Sequence, residues 1–395
     1  MKFYYNSIKL FAVSMLVATN FSCSSDDDSP SINGPEVTAP DTYVFERQGE
    51  STVIFGGQTD RLEMAASLFN KLNDENVDGE VLLEMFNEGT GFYPDASITD
   101  ADQIAAVLAL NIAGKRLENK TAAYGDSSVM PKIAGFLTEY ANSVSTNFLE
   151  SASAGVAGTY VTTTRTVRVN DKGMELNQVF AKSLIGALVM DQVAYGYLSE
   201  VKIGDGVENV ALEDGKNYTK MEHHFDEGFG YVYGQESDIT TAATPQGNGI
   251  LFNKYLKKVD ADNGEEPGLG MEIYDAFKLG RAAIVAGNSS VRDAQAEIVK
   301  TKMSRVILHK AAYYLRYSAA ALDATEVDYS DYFHSLSEGY GFILSLQFTY
   351  DADGMNYFSH SEVEVMLSTL ESGDGFWDRT ATELNDMAAQ IEAKL

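Results

Sequence analysis

From Leu62 onward, apolar residues recur at steps of three and four. Leu62, Ala65, Ala66, Phe69 and Leu72 would share one face of a helix. The same spacing predicts helices over 78–88, 99–118, 128–150, 174–200, 219–235, 248–258, 270–286, 290–322, 329–349, 360–371 and 378–394. The breaks between them fall at clusters of Gly, Pro, Asn and Asp, such as 260–268. Strand-like patterning is confined to short stretches. Residues 43–46 and 51–55 are β-prone and separated by Gln-Gly, which predicts a small hairpin; 159–169 alternates and predicts a second hairpin or an ordered loop. The expected fold class is mostly α, a helical bundle with one or two short β-hairpins.

One pattern repeats. Residues 218–234 read YTKMEHHFDEGFGYVYG, and 329–345 read YSDYFHSLSEGYGFILS. They align without a gap at a constant offset of 111 residues, matching Tyr218 with Tyr329, His223 with His334, Glu227 with Glu338, Gly228 with Gly339 and Gly230 with Gly341. An internally duplicated bundle follows as an expectation. At 100° per residue, His223, Glu227, Gly230 and Gly234 fall within about 60° of one another, as do His334, Glu338, Gly341 and Ser345. Glycine inside a helix costs about 1 kcal/mol relative to alanine. Matched glycines therefore imply that another segment approaches closely there, which would place each His/Glu pair at a packed seam.

The N-terminus reads as an export signal. Lys2 and Lys9 are basic, and 10–19 is apolar but too short to span a bilayer. Ser22 precedes Cys23, the one cysteine of the 395 residues. The reading is a lipoprotein signal over 1–22, lipidation at Cys23, a flexible acidic tether over 23–42 and a helical domain over 43–395. An ordinary secretory peptide cut nearby is the alternative. Asp26, Asp27 and Asp28 resemble the acidic surface-export signal that follows the lipidated cysteine in many lipoproteins. The expected location is the outer membrane, displayed at the cell surface or else facing the periplasm, with the lipid on Cys23 as the membrane contact. Composition is 45% apolar, enough for a large core without disulfides. With 58 acidic against 29 basic residues the formal net charge is −29, which would repel a phosphate backbone and argues against nucleic acid as a partner.

A buried His and carboxylate need partners. In one solution each His pairs with a nearby carboxylate, polar side chain or carbonyl and acts as a structural clasp. In the other, His223, His224, Glu227, His334 and Glu338 form a metal or small-ligand site, with His224 and Glu227 as an i, i+3 ligand pair. Two imidazoles and two carboxylates would suit iron or zinc. No His-Glu-x-x-His, nucleophile elbow, phosphate loop or dinucleotide fingerprint is present, so no catalytic residue is assigned. The Asp351/Asp353/Gly354 and Asp260/Asp262/Gly264 groups have the wrong spacing for calcium loops and read as turns. One tryptophan is meagre for a glycan platform, although 22 tyrosines keep that chemistry open.

The run MEHHFDEGFGY at 221–231 resembles a family of lipoproteins called domain of unknown function 4856. Tyr43, Val44, Phe45 and Glu46 also resemble it, as do Phe55 to Gln58, the stretch from Met174 to Gln178 through Gly186 to Asp191 and Gln192, and the His334-to-Gly341 repeat. More distantly the chain is similar to the imelysin group, exported duplicated helical proteins associated with iron uptake and once described as peptidases. Their Gly-x-His-x-x-Glu motif would fall on Glu222, His224 and Glu227, with Glu222 in place of glycine. What the resemblance implies is a non-catalytic binding lipoprotein in iron or other metal-linked nutrient uptake, with an outer-membrane uptake partner. A metal-dependent peptidase or hydrolase and a structural or partner-binding scaffold are the alternatives.

Overall fold

The computed structural model describes residues 34–94 and 98–395. The 1–22 signal and Cys23 lie outside the described residues, as does most of the 23–42 tether. The first half of the chain runs β1 (Glu46–Arg47), β2 (Glu50–Ser51), α1 (Gly56–Lys71), α2 (Gly79–Asn87), α3 (Ala101–Leu110), α4 (Val129–Glu139), β3 (Gly158–Val161), β4 (Thr166–Val169) and α5 (Leu176–Leu184). The rest is helical: α6 (Glu200–Ile203), α7 (Lys220–Tyr233), α8 (Phe252–Asp260), α9 (Leu269–Ala286), α10 (Ser289–Leu322), α11 (Tyr329–Ser345), α12 (His360–Glu371) and α13 (Ala381–Glu392). The strands form two short antiparallel hairpins, β1–β2 and β3–β4. The mostly α class with two small hairpins is therefore what the described residues adopt.

Boundaries differ where local chemistry overrides periodicity. A helix over 99–118 is cut short at Leu110, and Gly114 takes a positive φ of 64° shortly afterwards. The 248–258 helix starts at Phe252, because Gly247 and Gly249 both turn at φ 75°. The 260–268 stretch is a turn, with the Gly264 amide donating to the Ala261 carbonyl at 2.7 Å. Periodicity also misses helix width. Helix α4 continues as a π-helical turn over Tyr140–Val144, and α5 as a π-helical stretch over Ile185–Tyr197. This second stretch is buried almost throughout, and it carries the fully buried Asp191.

Helix α10, about 51 Å long at 1.5 Å per residue, packs along α9, α11 and α13. It follows α9 through Gly287, whose φ of 72° reverses the chain, and Asn288, whose side chain caps α10 by accepting from the Val291 amide at 3.1 Å. Helix α11 lies against α5, while α7 packs on the Ile185–Tyr197 stretch, α1 and α9. One continuous apolar core joins all of these elements, with Phe180, Phe229, Ile307 and Phe342 fully buried in it. Every described core residue lies within Gly34–Leu395.

Candidate functional site

Helix α7 starts with a capping box. Thr219 Oγ1 accepts from the Glu222 amide at 3.2 Å, and Glu222 Oε2 accepts from the Thr219 amide at 2.7 Å. Glu222 thus has a local task in starting the helix. Its Oε1 also accepts from Arg47 at 2.9 Å and Arg281 at 3.2 Å. One turn on, Asp226 accepts from Arg281 Nε at 3.0 Å and from the Tyr43 hydroxyl at 2.7 Å. The Arg281 side chain is wholly buried, and its guanidinium lies 4.8 Å from the Phe45 ring centre. Burial pushes the Asp226 carboxyl up to about 6, against the pull of Arg281. The Tyr43-to-Glu46 segment is in this way tied to α7 by an ion cluster.

The predicted site residues of α7 sit beside this cluster. His224 Nδ1 lies 2.7 Å from the Lys202 carbonyl, and burial lowers the imidazole below its ordinary value. The His223 ring stacks on Tyr218 at 4.8 Å, with Nε2 at 3.9 Å from Glu227 Oε2. Glu227 Oε1 accepts from Gln58 at 3.0 Å, and Gln58 also reaches the Tyr197 hydroxyl at 3.3 Å. Gly230 makes room for α1: a Cβ there would stand 2.9 Å from Phe55 Cγ and 3.2 Å from Gln58 Cβ.

Helix α11 begins at Asp328, which accepts from the Ser330 amide at 3.1 Å. His334 Nδ1 lies 2.6 Å from Glu175 Oε2 at the start of α5. Glu338 Oε1 lies 3.0 Å from Lys182 Nζ and accepts from the Tyr255 hydroxyl at 2.7 Å. Burial alone would raise the Glu338 carboxyl. The Lys182 ammonium, His334 and the Tyr314 and Tyr255 hydroxyls outweigh it and hold the group well below the ordinary glutamate value. Gly341 admits α5, since a Cβ there would lie 2.8 Å from the Ser183 nitrogen and 2.9 Å from the Val179 carbonyl. Farther along, Ser345 Oγ accepts from the Gly186 amide at 2.9 Å.

The matched pairs therefore have different partners. His223 and Glu227 answer to Tyr218, Gln58 and Tyr197; His334 and Glu338 answer to Glu175, Lys182, Tyr255 and Tyr314. The expectation that both pairs line one polar pocket is not met by these partners. A cleft of about 660 Å³ opens beside the second pair alone. Its α11 side carries Asp331, His334, Ser335 and Glu338. Helix α8 supplies Lys254 and Lys258, and α10 supplies Lys310, Tyr313, Tyr314 and Tyr317. Arg165 and the turn carrying Asn263 and Glu265 complete the wall. None of Lys254, Lys258, Tyr313 and Tyr317 belongs to a motif, and they come together from segments far apart in sequence.

A metal centre needs several deprotonated donors converging on one point. Among the described residues no three His, Asp or Glu side chains form such a set. Glu338 already holds an ammonium group, Glu227 an amide, and His224 a backbone carbonyl. This donor chemistry does not fit a resident iron or zinc ion at the five residues.

A family model described as Domain of unknown function (DUF4856) matches residues 40–395. The chain belongs to this family. In this DUF4856 chain the matched region begins just before Tyr43, the residue whose hydroxyl meets Asp226. Neither the curated proteins nor the solved structures include a match. The segments that carry the resemblance to DUF4856 pair off in space: 43–58 meets α7, and 174–186 meets α11.

Proposed function

We propose that this chain is an exported, lipid-anchored binding protein without catalytic activity, and that its ligand site is the cleft beside α11. The observation that carries the reading is the cleft itself. Its volume of about 660 Å³ lies in the range of small-ligand sites, and polar groups converge on it from α8, α10 and α11. Its carboxylates are engaged: Glu338 by Lys182, Glu265 by Lys310 at 2.7 Å and Asp331 by Arg165 at 3.4 Å. That pairing supports recognition over general acid–base work, which needs a group poised to gain or lose a proton. Export rests on the basic and apolar start of the chain and on Cys23; no helix among the described residues is long and apolar enough to cross a membrane. A role in metal-linked uptake would act through a chelating ligand held in the cleft, because among the described residues no three His, Asp or Glu side chains gather into a metal site.

Two measurements test this. Palmitate labelling of the full chain in an exporting cell should be lost in Cys23→Ala. For the cleft, thermal shifts of Gly34–Leu395 are recorded against peptides, saccharides and metal ions. Asn263→Trp, at the exposed rim, should abolish any shift the wild type shows. A ligand whose shift survives Asn263→Trp but is lost in Glu227→Ala would place binding on α7 and sink the reading.

A further inference from the structure

The chain is strongly acidic, yet this cleft is not. Four cations line it, Arg165, Lys254, Lys258 and Lys310, with Lys182 directly behind Glu338. Three carboxylates line it too, and Glu175 backs His334. The pairing is uneven. Lys182, Lys310 and Arg165 each hold a carboxylate, whereas among the described residues Lys254 and Lys258 hold none. Lys258 instead reaches the Tyr314 hydroxyl at 3.3 Å and lies 4.9 Å from the Tyr255 ring centre. Burial, with a smaller push from neighbouring ammonium groups, lowers both lysines below the ordinary value, against the pull of Glu338. Glu338, Glu265 and Asp331 are each paired with another cation, so these two ammonium groups share carboxylates rather than hold one and can take an anionic ligand.

The α10 side of the cleft adds a different character. Tyr313 and Tyr317 are each 43% exposed, one turn apart on α10, with rings stacked at 6.0 Å and 27°. Exposed tyrosine faces suit the apolar face of a sugar ring; here Lys310 Nζ lies 4.7 Å from the Tyr313 ring centre and the Tyr317 hydroxyl donates to Asp331 at 2.8 Å. Glu265 and Asp331 line the same cleft. Carboxylates accept hydrogen bonds from sugar hydroxyls but repel a dense phosphate charge.

We propose that the cleft binds an acidic saccharide, its carboxylate or sulfate on Lys254 and Lys258 and a sugar ring against Tyr313 and Tyr317. This rests on the cleft being the ligand site, and the experiment separates the two claims. Gly34–Leu395, which holds every described core residue, is titrated calorimetrically with tetragalacturonate, a chondroitin sulfate tetrasaccharide, maltotetraose and citrate. Tetragalacturonate or the sulfated tetrasaccharide binds, the stronger of the two naming the anion, and maltotetraose and citrate do not. Lys254→Gln with Lys258→Gln weakens that binding by about 100-fold, roughly tenfold for each charged hydrogen bond lost. Tyr313→Ala weakens it by about tenfold while leaving the fold intact by circular dichroism. Added salt weakens it further. Equal binding of maltotetraose or of citrate, no binding of either acidic saccharide, or indifference to the paired lysine substitution overturns the proposal. If maltotetraose binds and Asn263→Trp abolishes it, the cleft stands as the ligand site and only its acidic specificity falls. Acidic-saccharide binding that survives Asn263→Trp overturns both.

Discussion

Replacing Glu338 by glutamine isolates the strongest charge pair of the candidate site. Glutamine keeps the shape and one acceptor for the Tyr255 hydroxyl, but it leaves the Lys182 ammonium, 2% exposed, without its carboxylate. What remains around Lys182 is the Gln178 amide oxygen and the rings of Phe69 and Tyr255, with centres at 5.5 and 5.6 Å. Removing one partner of a buried pair costs about 3–5 kcal/mol, and these residual contacts put the expectation at the lower end, about 3 kcal/mol. Urea unfolding of Gly34–Leu395 followed by circular dichroism measures it as a lower midpoint at unchanged slope. The pH dependence gives a second readout. Because the Glu338 carboxyl is held below its ordinary value of 4.5 in the folded chain, its contribution is present above that pH and is lost as pH falls below it. The stability gap between wild type and Glu338→Gln should therefore narrow as pH is lowered past about 4.5. A loss under about 1 kcal/mol at neutral pH, or a gap that does not change on acidification, would refute the assignment of Lys182 and Glu338 as an ionised buried pair.

Arg281→Met leaves the fully buried Asp226 without its guanidinium, while Glu222 keeps Arg47, and should cost about 3–5 kcal/mol in the same unfolding assay. Gly341→Ala drives a methyl group into the α5 backbone and should cost about 1–3 kcal/mol or more; Gly135→Ala, with open space around its Cβ position in α4, should gain up to about 1 kcal/mol. Burial raises the Asp191 carboxyl to about 7, although the Tyr124 and Ala123 amides donate to it at 3.1 and 2.9 Å. A raised value means stability present below its ordinary 3.8 and lost as pH rises towards about 7. Unfolding free energies of Asp191→Asn across that range should show a flatter profile than the wild type.

Much of this architecture was legible in the residues, and the exceptions have identifiable causes. Helices with a clear apolar stripe and a terminal signal, such as the one ending at Gly287 and the next beginning after Asn288, were placed closely. Between 111 and 118 the apolar residues of a helical pattern are present, but the chain turns and Gly114 adopts a left-handed conformation. The Ile185–Tyr197 stretch has too little polar contrast to reveal π-helical spacing, since both its faces are buried. The matched glycines correctly marked close approaches, by Phe55 at Gly230 and by α5 at Gly341. Convergence of the two His/Glu pairs could not be judged from spacing, because it depends on what faces each helix. Gln58 faces one pair and Lys182 the other, and no periodicity encodes that difference. Lys254, Lys258, Tyr313 and Tyr317 were invisible as a group, for their meeting is produced by tertiary packing of α8 against α10.

The account turns on the two matched pairs being independent stations, one clasping the N-terminal segment and one bordering a cleft. A double-mutant cycle on Glu227→Gln and Glu338→Gln, read by urea unfolding, tests this directly. Sites without shared partners add to within about 0.5 kcal/mol, and that is the predicted result. A coupling energy above about 1 kcal/mol would contradict it and restore a common centre for both pairs.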